Sequence, residues 1–333
     1  MYLKDGIKIV NGAVECRGFE VFTHVYFIER IRYICVKTVQ IRFGERRGKS
    51  MKRSKLTFWL FLAPCLLCFL GFVLIPTIMG FYYSLTDWNG VAKSPEFIGF
   101  TNYLAVFKDG QYWYSFAYTA LFTVCSVILI NGIGFLLALL VTKNFKGSTF
   151  MRGVFFMPNL VGGLLLGYTW KFIFTKIFPA TNIPILGNWL ADNKTGFLGL
   201  LILMVWQMSG YMMIIYIAGI QNIPDSVMEA ASLDGATGMK RMFKITIPMV
   251  AQSFTIGLFL VLSNSFKLFD QNLSLTGGNP NHKNEMLALN IYNTAFNSNE
   301  MGEAQAKAAI FFLTVAIISV IQLTVTKRAE VEA

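Results

Sequence analysis

The chain has 333 residues, of which 55% are hydrophobic and only 14% charged. A soluble domain carries about 25% charge, and apolar runs of about 20 residues, enough to cross a bilayer, recur here, so a soluble globular domain is excluded and a helical integral membrane protein is expected. The net charge of +11 does not point to nucleic acid, because the basic residues sit in short clusters beside apolar runs, as the positive-inside rule expects.

Residues 1–50 mix charged, β-branched and aromatic side chains without a sustained spanning run. No apolar core followed by a small-residue cleavage site marks a signal peptide there. At Met51 the pattern changes to Met51-Lys52-Arg53-Ser54-Lys55 and then a long apolar run. Residues 1–50 therefore read as an N-terminal extension, either a cytoplasmic tail or the product of a start assigned upstream of the true Met51. Residues 51–333 read as the transmembrane domain.

Six spanning helices are expected: Phe58–Ser84, Tyr114–Thr142, Val154–Phe174, Phe197–Ile220, Pro248–Phe269 and Ala306–Thr326. Pro64 and Pro76 should bend the first, with neighbouring helices re-satisfying the freed carbonyls. Cys65 and Cys68 form a CxxC, but behind Pro64 in an apolar helix, where two small apolar side chains are the expected reading. A redox pair would want a polar strand-to-helix turn. Gly132, Gly134, Gly162, Gly163 and Gly167 should let helices approach closely.

Loop charges orient the spans. One side holds eleven cations: Lys52, Arg53, Lys55, Lys143, Lys146, Arg152, Lys240, Arg241, Lys244, Lys327 and Arg328. The other holds four: Lys93, Lys108, Lys194 and Lys283. The first side is expected to be cytoplasmic, with both termini inside. Lys267 and Asp270, three residues apart at the end of the fifth span, are expected either to line a path or to pair with one another.

The polar segment near 222–248, between the fourth and fifth spans, is the most informative. Glu and Ala favour helix, and Gly235 interrupts it after two turns. Gly235 adopts positive φ at low cost, and Pro248 suits the first turn of the next helix. A short helix-turn-helix at the membrane surface results, a shape suited to docking on another protein. Its spacing resembles the EAA loop of ABC-transporter membrane subunits, with matches at Glu229, Gly235, Ile245 and Pro248.

From Met51 onward the chain is similar to the sugar-type permeases of that family, the group with the membrane subunits of maltose and glycerol-phosphate importers. Phe97–Tyr103 resembles their GLxNY segment, and Trp206–Tyr211 their fourth-span start. Ile223-Pro224 precedes the loop as it does there. Ser265–Asp270, Leu275–Pro280 and Ile291–Phe296 resemble SFKxFD, LTxGGP and IYxxAF, with Asn279 as a departure. The resemblance implies an all-α permease fold with six transmembrane helices and a cytoplasmic coupling loop. It implies that Glu229, Ala230, Ala231, Asp234, Gly235, Ile245 and Pro248 meet an ATP-hydrolysing subunit, with Glu229 facing it. It also implies the partners: a second, homologous permease, two ATPase subunits that hold ATP and Mg, and an extracytoplasmic sugar-binding protein.

Intramembrane polar groups are costly unless they line a cavity or pair. Trp206, Gln207, Ser209 and Tyr211 in the fourth span, and Asn264, Ser265, Phe266, Lys267 and Asp270 in the fifth, are therefore candidates for the substrate path; helix–helix packing is the alternative for each. No Walker A pattern, catalytic triad or HExxH is present, and His24 and His282 stand alone. Neither a catalytic nor a metal site is expected, and no cofactor of the chain's own. An ABC permease for a non-sugar solute, a stand-alone channel and a membrane enzyme are the rival readings.

Overall fold

The computed structural model describes residues 9–10, 13–14, 55–142, 146–181, 183, 187 and 189–327. It divides into two compact units, Met1–Phe69 and Leu70–Ala333. The first holds a minimal hairpin, β1 (Ile9–Val10) and β2 (Ala13–Val14), antiparallel with Ile9 opposite Val14, and the helix α1 (Lys55–Phe69). Those four strand residues apart, the expected N-terminal extension lies outside the described residues. In α1 the large side chains Phe58, Trp59, Leu60 and Phe61 are exposed, a surface suited to hydrocarbon or a partner rather than water. Cys65 and Cys68 are free thiols on the same helix.

The described part of the second unit is helical apart from one antiparallel bridge, Thr86–Phe97. A π-helical turn, Leu70–Leu74, leads into α2 (Ile75–Tyr83), with Pro76 in the first turn of that helix. There the missing N–H costs little. Then follow α3 (Thr101–Lys108), α4 (Gly110–Thr142), α5 (Ser148–Phe156), a 3-10 turn at Met157–Leu160, and α6 (Gly163–Phe172). A π turn, Ile173–Ile177, joins α6 to α7 (Phe178–Ala180). After α8 (Asn193–Gln221) come α9 (Asp225–Leu233), α10 (Gly238–Arg241), a π turn at Met242–Thr246 and α11 (Ile247–Met249). The chain continues through α12 (Ala251–Phe266), α13 (Asp270–Leu275), α14 (Leu287–Phe296) and α15 (Met301–Lys327).

Four runs are long and apolar enough to cross a membrane unbroken: Phe58–Tyr83, Gly110–Thr142, Asn193–Gln221 and Met301–Lys327. Two more are bent pairs, Ser148–Leu160 with Gly163–Ala180 at 97°, and Gly238–Met249 with Ala251–Phe266 at 69°. Counting each pair as one span gives the expected six, but two of the expected helices are corrected. The third is not continuous from Val154 to Phe174: Pro158 and an extended Gly162 break it. The fifth does not begin at Pro248. That proline lies in α11, before the break at Val250, and α12 begins at Ala251. Proline and π turns are the usual causes of such kinks.

Helix α8 is the axis of the core, with more than half of its apolar stretch buried. It starts with a capping box in which the Asp192 carboxylate accepts from the Thr195 N–H. These hydrogen bonds with Thr195 hold the Asp192 carboxyl below its ordinary range. Close approach relies on glycine at chosen positions. A Cβ on Gly134 of α4 would lie 2.7 Å from that of Met212 on α8, and one on Gly210 would fall on the Phe155 carbonyl of α5. Gly132 and Gly162, by contrast, face open space. The α4 face turned inward carries small polar residues, among them Thr119, Ser126 and Asn131. Asn131 accepts from the Tyr216 hydroxyl at 2.6 Å, a bond between two spans of the kind that holds membrane helices together.

At the opposite end of α4 sits a buried ionic cluster. Lys307 of α15 is 3% exposed. Its Nζ lies 2.8 Å from Asp109, 3.0 Å from Glu303 and 2.9 Å from the Thr294 hydroxyl. The cluster joins the α3–α4 junction to α14 and α15. Burial pushes the Asp109 carboxyl up, but Lys307 and the N–H groups of Tyr112 and Gln111 outweigh it, so its pKa is lowered from 3.8.

Gly210→Ala puts a methyl group on a backbone atom and should cost about 1–3 kcal/mol or more by overpacking, whereas Gly132→Ala should be silent; monodisperse yield in mild detergent reads the contrast. Because the Asp109 pKa is depressed, its stabilising contribution is complete above about pH 4 and lost as pH falls through the lowered value. Thermal unfolding should therefore show an acid-side loss in the wild type that is smaller in Asp109→Asn. Lys307→Ala, which leaves two half-buried carboxylates without their cation, should cost about 1–3 kcal/mol at neutral pH.

Candidate functional site

Two places collect the residues singled out by sequence. The first is the loop after α8. Ile223 is buried and Pro224 stands in extended conformation as the N-cap of α9. Asp225 occupies the first turn of that helix, where the helix dipole favours a carboxylate. Val227 and Met228 pack on the main hydrophobic core, which fixes the helix to the membrane domain by one side.

The end of α9 explains the spacing of the motif. Gly235 N–H bonds the Ser232 carbonyl at 3.2 Å, and Ala236 N–H reaches back to the Ala231 carbonyl at 2.8 Å. This is a Schellman closure, in which the residue after the cap must be left-handed. Gly235 takes that conformation at φ +70°. Ala231 and Ala236, the two residues joined by the long bond, are both buried, whereas Glu229, Ala230, Asp234 and Gly235 are exposed. Ile245 lies in the π turn and Pro248 in α11, both half-buried.

A groove of about 580 Å³ opens on this helix pair, lined by Asp225, Met228, Glu229, Ser232, Leu233 and Arg241. Leu233, 89% exposed, gives it an apolar lip. Glu229 and Arg241 line the groove without joining an ion pair among the described residues. Carboxylate, guanidinium and apolar lip together make a surface that can receive a protein element carrying both charge and an apolar side chain.

The second place is a cavity of about 400 Å³ lined by Asn159, Met204, Gln207, Met208, Tyr211, Asn264 and Lys267 through Gln271. Of the expected path residues, Gln207, Tyr211, Asn264, Lys267 and Asp270 line it. Trp206 points elsewhere and meets Trp170 edge-on at 5.6 Å. Ser209 is buried and donates to the Val205 carbonyl of its own helix. Ser265 and Phe266 are also buried and outside the lining.

Lys267 and Asp270 form no ion pair. Lys267 caps the end of α12 while Asp270 opens α13, so the two do not share the helical face that a three-residue spacing would otherwise provide. Sequence reasoning missed Asn159, at the break in the third span, and Gln271. The Pro158 and Gly162 interruption of an apolar run was the available signal, since broken helices line membrane sites. Among the described residues no three His, Cys, Asp or Glu side chains gather as a metal would require.

What the cavity offers chemically is a set of hydrogen-bonding amides with aromatic faces beside them, together with one cation, Lys267, and one carboxylate, Asp270. Asn159, Gln207, Asn264 and Gln271 each present donor and acceptor groups, and Tyr211 and Phe269 supply flat apolar surface.

Residues 130–329 match the family described as "Binding-protein-dependent transport system inner membrane component". The chain is 49% identical over 291 residues to the "Probable starch degradation products transport system permease protein" of Thermoanaerobacterium thermosulfurigenes, covering 86% of this chain and 99% of that relative. It is 30% identical to the "Multiple sugar-binding transport system permease protein" of Streptococcus mutans, covering 82% of this chain and 96% of the relative. In fold it is similar to a chain of a bacterial alginate ABC transporter solved in complex with an alginate pentasaccharide-bound periplasmic protein, with a TM-score of 0.72, 18% identity, and coverage of 85% and 98%. With a family match over most of its helices and relatives aligned almost end to end, the chain belongs to the inner membrane components of binding-protein-dependent transport systems, and is a multi-pass membrane protein.

Proposed function

We propose that this chain is one permease subunit of an ATP-binding-cassette importer that carries a sugar or oligosaccharide across the cytoplasmic membrane. The observation that carries the proposal is the loop. An exposed, acidic helix closed by a Schellman turn at Gly235, with a groove around Glu229, has no work to do in a stand-alone pore. In the importer it seats in an ATPase subunit, with Glu229, Ala230, Asp234 and Gly235 at the surface. Ala231, buried, and Ile245 and Pro248, half-buried, form the inner side of the loop.

The chain itself is the non-catalytic half of a gated path. ATP and Mg reside in two partner ATPase subunits, a second, homologous permease completes the path, and an extracytoplasmic binding protein delivers the sugar. The bias of the loop cations supports a cytoplasmic position for the coupling loop and both termini. The sugar assignment draws on two supports: the names of the sugar-transporting relatives, and the amides and aromatic faces that line the cavity beside Lys267 and Asp270. Buried polar groups of a sugar need partners, and Asn159, Gln207, Tyr211, Asn264 and Gln271 can provide them in a membrane interior.

Purified with its partners from expressing membranes, the wild type should bring down an ATPase whose hydrolysis rises with binding protein loaded with maltotriose. Glu229→Ala should lower that stimulated rate about tenfold, a loss of roughly 1.4 kcal/mol of coupling. Gly235→Val, forced into the left-handed region, should strain the turn by about 1–2 kcal/mol and weaken retention of the ATPase. Failure of the wild type to bring down any ATPase in mild detergent would contradict the reading. Stimulation by a non-sugar solute alone would contradict the sugar.

A further inference from the structure

We propose that Gln207 is a positioning residue whose amide joins the bend of the third span to the wall of the cavity, so that a polyhydroxylated ligand competing for that amide is registered at the bend. The inference rests on the reading of this chain as a sugar permease.

The geometry is a relay across three elements. Gln271, in the first turn of α13, donates from Nε2 to Gln207 Oε1 at 2.8 Å. Gln207, on α8, donates from its own Nε2 to the Val161 carbonyl at 3.2 Å. Val161 is the extended residue between the 3-10 turn and Gly162, where the third span turns by 97°. Its carbonyl has left the helical ladder. In a membrane interior such a group must find a partner within the protein, and Gln207, only 8% exposed, is that partner.

Both arms of the broken span are seated around the same point. On one side, a Cβ added at Gly163 would lie 2.9 Å from the Asp270 Cβ and 3.0 Å from the Gln271 Cδ, so the start of α6 rests directly on the relay. One turn on, Gly167 abuts Ser274. On the other side, the Phe155 carbonyl of α5 is pressed on Gly210, which lies three residues past Gln207 on α8. The two amides connect the hinge between these arms to the cavity wall, beside Asn159 of the 3-10 turn, which lines the cavity itself and donates to Met208 Sδ at 3.5 Å.

Gln207 and Gln271 both line that cavity. A ligand hydroxyl donates and accepts as an amide does, and exchanging one hydrogen bond for another is nearly neutral in free energy. A sugar can therefore displace Gln271 from Gln207, or Gln207 from Val161, at little cost. Either exchange changes what holds the bend.

The test is a pair of substitutions in the complete transporter, reading ATP hydrolysis against the concentration of maltotriose-loaded binding protein. Gly163→Ala lies outside the cavity lining but pushes on Gln271; Gln271→Met removes the relay's first donor. We expect each to lower maximal stimulation about fivefold, and the double variant to fall no further, as coupled neighbours do. Because half-saturation by loaded binding protein reads its docking rather than the cavity, both single variants should leave the half-saturating concentration unchanged. Multiplying losses, or a shift in half-saturation with the maximum intact, would overturn the relay. If Gly163→Ala does not assemble, Gln207→Met with Gln271→Met forms the same cycle and decides on the same criterion. A wild-type complex that maltotriose-loaded binding protein fails to stimulate overturns the sugar reading and this inference with it. Multiplying losses in a stimulated complex overturn the inference alone.

Discussion

The close approach of backbone to α8 is the constraint on which the rest of the structure depends. At Gly134 the neighbouring span comes within reach of Met212, and at Gly210 the carbonyl of Phe155 takes the space that a methyl group would need. Apolar side chains alone drive little association in hydrocarbon, where lipid tails are as apolar as leucine. Membrane helices instead gain from dense contact and from hydrogen bonds between spans. The Tyr216–Asn131 bond and the small polar face of α4 are the second half of that arrangement. Everything functional is hung on this axis.

The same helix links the two sites. Gln207 and Tyr211 of α8 line the cavity, and the helix ends at Gln221, four residues before α9 begins. From Tyr211 to Gln221 is about 15 Å of α-helix at 1.5 Å per residue. Val227 and Met228 then pack back on the core, so α9 has little freedom to move apart from it. A displacement of the loop thus has a short, stiff route to the cavity wall, without any need for a long chain of weak contacts. The ionic cluster at Lys307 plays the complementary part, fixing α3, α4, α14 and α15 to one another while the bends of the third and fifth spans supply hinges.

The number of spans and the helical turn closed at Gly235 were readable because both are written in composition: run length, charge bias, and one glycine where a helix must end left-handed. The breaks were not read, since hydropathy averages over Gly162-Gly163 and over Val250, and a bent apolar run scores like a straight one. The cavity was read in the right helices but on too wide a front. Met204, Gln207, Met208 and Tyr211 share one face at helical spacing, whereas Trp206 and Ser209 lie off it. Choosing by face rather than by segment would have excluded both, and would have separated Asn264 and Lys267 from Ser265 and Phe266. Asn159 and Gln271 come from a break and from a helix start, places that periodicity does not describe. Pro158 with Gly162 was the one sign that such a place existed.

The central claim is that the loop after α8 docks on an ATP-hydrolysing subunit at the cytoplasmic face. The most direct measurement places a photo-crosslinking amino acid at Leu233, the exposed lip of the groove, in membranes where the transporter is assembled. The account predicts an adduct between this chain and the ATPase subunit, and no reaction of position 233 with a membrane-impermeant reagent added outside intact cells. An adduct lacking any ATPase, or labelling of that position from outside, would contradict it.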